Sequence, residues 1–63
     1  MSSPDDNRNA QSAEAHIQAA RAAPHRRELE LNQAENFARL IRDPVLQRRV
    51  QREIQEARFG RRG

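Results

Sequence analysis

The sequence predicts a small all-α protein. It would hold a helical hairpin of residues 25–42 and 44–59, a weak alanine-rich helix over 11–23, and a disordered N-terminal tail. Three observations predict this. Large apolar residues recur at helical spacing in both arms of the hairpin. A single Asp43-Pro44 step separates those arms, and Gly60 follows the second. Residues 10–23 are rich in alanine, the strongest helix former.

The stretch from Phe37 to Val50 organises the rest. It carries Phe37, Leu40, Ile41, Val45, Leu46 and Val50 around the Asp-Pro step. Proline disfavours the helical region for the residue before it, so Asp43 should leave the helix. Proline also suits a first helical position, where its missing N–H is not needed. Aspartate is among the best N-caps, because its carboxylate accepts backbone N–H groups at the positive helix end. The step therefore reads as a corner between two helices, in preference to one long helix kinked at Pro44.

Taken in order, residues 1–10 have the Ser, Pro, Asp and Asn composition of a loose tail, leaving 11–63 as a single small helical domain. Ser12 is a candidate N-cap for the alanine-rich helix. Ala13, Ile17 and Ala20 give that helix a narrow stripe, and Ile17 is its sole large apolar residue. Such a stripe buries little, so this helix is expected to fray, dock weakly, or become firm only against a partner. Pro24 ends it. In residues 25–42, Leu31, Ala34, Phe37, Ala38 and Ile41 share one face, while Leu29 and Leu40 lie on a separate flank. That apolar surface is wider than one neighbouring helix needs. Arg26/Glu30 and Glu35/Arg39 are spaced for i,i+4 pairing. In residues 44–59, Leu46, Val50, Ile54 and Ala57 form a narrow stripe, opposite Arg48, Gln51, Arg52, Gln55 and Arg58. Arg49/Glu53 and Arg52/Glu56 are further i,i+4 pairs, in the weaker orientation. Gly60 is placed as a C-cap glycine, and Arg61-Arg62-Gly63 makes a short basic tail.

Composition narrows the function classes. Sixty-three residues allow one small domain, and with no cysteine there is neither a disulfide framework nor a thiolate metal site. Hydrophobic content of 35%, charged content of 33% and a mean hydropathy of −1.15 lie near the disordered end of the globular range. No apolar run approaches the ~18 residues that a membrane span requires. The first ten residues lack the pattern of a secretory signal, so a cytoplasmic location is the default expectation. All twelve basic residues are arginine. That fits the codon bias of a GC-rich genome, bacterial or phage. The alternative is selection for bidentate contact with phosphate or carboxylate. Charge is uneven: residues 44–63 carry six arginines against two glutamates, net +4, whereas the whole chain is only +3.

No catalytic equipment is visible. His16 and His25 are nine residues apart across a proline, no glycine-rich loop cradles phosphate, and the glutamates interleave with arginines. The expectation is a non-enzymatic regulator or adaptor with no metal, cofactor or small-molecule substrate. It would dock onto a larger protein or onto a second copy of itself. Leu29, Phe37, Leu40 and Ile41 are the expected partner-binding anchors, on the broad face of the middle segment. The alternative is a small nucleic-acid-binding protein using Arg48, Arg52, Arg58, Arg61 and Arg62.

Overall fold

The computed structural model describes residues 3–60. Within them the chain forms three α-helices: α1 (Pro4–Ala22), α2 (Arg27–Leu40) and α3 (Pro44–Phe59), with a short 3-10 turn at Pro24–Arg26.

The first helix begins well before the expected position. Ser3 is extended (φ −74°, ψ 162°), and its hydroxyl accepts the backbone N–H of Asp6 at 3.1 Å. Pro4 then takes the first helical position, and Asp5 and Asp6 place negative charge in the first turn. A capping serine, a proline at N1 and early acids act together at a helix start. Residues 4–10 are therefore helix and not tail, and Ser12 lies in mid-helix instead of capping it. Residues 1–2 of the expected tail lie outside the described residues.

α2 is shorter than the expected 25–42. His25 and Arg26 belong to the 3-10 turn that Pro24 opens, and the helix stops at Leu40. Ile41 is already extended (φ −74°, ψ 124°), so the corner occupies residues 41–43. Asp43 then caps α3: its carboxylate accepts from Val45 N at 2.9 Å and from Leu46 N at 3.5 Å. Gly60 ends α3 in the left-handed region at φ 66°. A Cβ there would meet no atom within 4 Å, so only backbone strain opposes a side chain. Gly60→Ala is expected to cost about 1 kcal/mol in thermal unfolding. An unchanged melting temperature would mean that this last turn is frayed in solution.

One core joins the three helices. α1 contributes Ala10, Ala13, Ile17 and Ala20, α2 and its end contribute Leu31, Ala34, Ala38 and Ile41, and α3 contributes Val50 and Ile54. Phe37, Leu46 and Ala57 pack against that cluster. On α1 the buried positions 6, 10, 13, 17 and 20 alternate steps of four and three, which keeps one seam facing the neighbour. The seam is mostly alanine, and small side chains let two helices approach closely. α1 makes its largest interface with α2 and also touches α3. The chain is thus a three-helix unit in which α1 packs chiefly on α2, while Leu29 and Leu40 stay outside that contact.

Candidate interaction surface

The four expected partner anchors separate into two kinds. Ile41 is 2% exposed and belongs to the core. Phe37 is half-buried; the ring of His16 stacks on it at 5.7 Å between centroids and 15° between planes. Both pack into or against the core that the three helices share. Leu29 and Leu40, on the flank, remain 52% and 59% exposed. Two residues outside that expectation join them: Val45 at 72% and Phe59 at 78%. Val45 sits at the start of α3 and Phe59 at its end, turned away from the Val50–Ile54 stripe.

The corner is fixed by hydrogen bonds from two directions. Asp6 is 4% exposed, although it lies near the chain's N-terminal end. One carboxylate oxygen accepts Arg42 N at 2.9 Å, and the other accepts Asp43 N at 3.0 Å. The side chain of Gln47 donates to Ile41 O at 3.1 Å in the corner and to Ala38 O at 3.2 Å, which also accepts the backbone N–H of Ile41. Buried backbone groups without partners are costly, and these bonds pair Arg42 N, Asp43 N and Ile41 O. The position of Leu40, Val45 and the start of α3 therefore depends on a residue of α1.

The acidic side chains are largely engaged within the fold. Glu30 binds His16 Nδ1 at 2.7 Å and Arg26 at 3.6 Å. Glu14 on α1 meets Arg49 on α3 at 3.4 Å. Arg58 pairs with Glu35 at 2.8 Å and approaches Glu28 at 3.8 Å, with its Nε buried and without a hydrogen-bond partner. Of the pairs expected along single helices, Arg26–Glu30 forms, whereas Glu35 and Arg49 reach across to other helices. Of the candidate nucleic-acid contacts, Arg48 and Arg52 are exposed and Arg58 is committed to α2. Arg61 and Arg62 lie outside the described residues.

The His16 contact has a measurable consequence. Truncation to alanine removes a ring stack, a hydrogen bond to Glu30 and cover over Phe37. His16→Ala should lower stability by about 1–2 kcal/mol in urea unfolding. A change below about 0.3 kcal/mol would place His16 in solvent.

Among the described residues, no three His, Cys, Asp or Glu side chains gather to hold a metal ion, and no helix is long and apolar enough to cross a membrane. Fold and surface define a small three-helix protein with a shared alanine-rich core and an arginine-bearing outer face on α3. The chain matches no family model, no curated protein and no solved structure.

Proposed function

We propose that this chain is a non-enzymatic helical module, a regulator or adaptor in the cytoplasm that acts by docking onto a larger protein or onto a second copy. One observation carries the reading: Leu29, Leu40, Val45 and Phe59 stay 52–78% exposed after the helices have closed their core. A chain with so few large apolar residues would gain stability by burying them. Leaving them on the surface supports an outside contact. The anchors in this reading are Leu29 and Leu40 from the original set, with Val45 and Phe59 added. Nucleic-acid binding keeps Arg48 and Arg52 as its described contacts and is the weaker reading, because Arg49 and Arg58 are paired with glutamates.

The test is affinity capture from the source cells with wild type and with Leu29→Asp/Leu40→Asp, alongside sedimentation over a concentration series. Both substituted positions are exposed, so folding should survive. The reading expects a discrete captured protein, or a concentration-dependent dimer, that the double variant loses. Equal capture by both forms would remove these anchors, and no capture with a monomer throughout would remove the module reading itself.

A further inference from the structure

The unbalanced part of this surface lies at the N-terminal half of α3. Val45, Arg48, Arg49 and Arg52 line a shallow groove there. Arg48 and Arg52 are one helical turn apart and exposed, and neither has an acidic partner among the described residues. Val45, 72% exposed, supplies an apolar floor beside them. We infer that this groove docks an acidic amphipathic helical segment of a partner protein, with carboxylates on Arg48 and Arg52 and an apolar side chain against Val45. The inference rests on the interaction-module reading and names its contact face and the chemistry of the partner.

Charge selects this occupant over two others. A facing helix with acids at i,i+4 repeats at the same pitch as Arg48 and Arg52, so both guanidinium groups can bind at once. A second copy of this chain is a poor source of such acids. Asp6 and Asp43 bind the corner, Glu14, Glu28, Glu30 and Glu35 have basic partners, and the other acids, Asp5, Glu53 and Glu56, include no i,i+4 pair. A nucleic-acid backbone rewards a continuous row of cations. Here Glu14 and Glu35 interrupt the row by holding Arg49 and Arg58. Phosphates would also gain nothing from Val45.

The probe is a fluorescent synthetic helix of about three heptads, with leucine on one face and glutamate flanking it, read by anisotropy. Its twin carries lysine for each glutamate, and a short DNA duplex is the third ligand. Wild type should bind the glutamate helix and not the lysine twin. Arg48→Glu/Arg52→Glu should lose at least tenfold in affinity for the first and gain affinity for the second. Both forms should melt alike, because the substituted side chains are exposed. A preference that survives charge reversal overturns the inference, as does tighter binding of the duplex, or self-association in place of peptide binding. Capture of the same cellular protein by wild type and by the double reversal also overturns it, yet leaves the module reading standing. Capture of nothing, together with no peptide binding, removes both.

Discussion

Asp6→Ala is expected to lower the stability of this protein by about 2–4 kcal/mol, although it alters a residue near the end of the chain. Its carboxylate is buried and accepts two backbone N–H groups from the α2–α3 corner, 36 and 37 residues away. Hydrogen bonds to a charged group contribute roughly 1.5–3 kcal/mol each, and removal of the acceptor leaves both donors without a protein partner. The Asp6 charge also lies in the first turn of α1 and beside the start of α3, so two positive helix ends favour it. For a chain of this size the total is only about 3–9 kcal/mol. Asp6→Asn separates the contributions. An amide has one accepting oxygen, and its NH2 would face a donor, so about half the loss should remain. Urea unfolding followed by helical circular dichroism measures both. A loss under about 0.5 kcal/mol for alanine would mean that residues 3–9 are not docked in solution.

The corner and the N-terminal helix differed in how far the sequence revealed them. The Asp43-Pro44 step and Gly60 bracket α3 by local chemistry alone, and α3 runs from Pro44 to Phe59 accordingly. Helical spacing also found Leu31, Ala34, Ala38 and Ile41, all of which are buried. Residues 4–10 have the composition of a tail, but their order is that of a helix. Ser3-Pro4-Asp5-Asp6 is a helix start when read residue by residue, with a capping oxygen, a proline at N1 and acids in the first turn. Asp6 and Ala10 also continue the four-three spacing of Ala13, Ile17 and Ala20, a second mark of the helix in the sequence.

The candidate surface was legible in part, for a similar reason. The angular gap that put Leu29 and Leu40 on a flank was visible in the helical pattern, and both are exposed. The pattern put Phe37 and Ile41 on the main face, apart from that flank, but it does not say which helix arrives to cover a face. The cross-helix pairs Glu14–Arg49 and Glu35–Arg58 leave no mark at short range. Those pairs decide which arginines stay available. The link from Asp6 to residues 42 and 43 has no sequence signature either; only the folded chain brings them together.

The second large effect is expected at Ile17. It is the one large apolar side chain that α1 contributes to the core, and it is 2% exposed. The rest of the α1 seam is alanine, whose small area holds the helix by close approach and little else. Ile17→Ala should therefore cost about 2–4 kcal/mol, near the upper end for a site whose neighbours Ala13 and Ala20 cannot collapse into the space. The functional consequence is the sharper readout. α1 occupies the broad face of α2 that carries Leu31, Ala34, Ala38 and Ile41, so loosening α1 uncovers that face. The variant should lose helical signal, bind a hydrophobic dye, and sediment as larger species as its concentration rises. Ile17→Val, one methyl smaller, should keep α1 docked at a cost of about 1 kcal/mol and show no such association. If Ile17→Ala melted like wild type and stayed monomeric, α1 would not be the natural cover of α2, and that face would again be open to a partner.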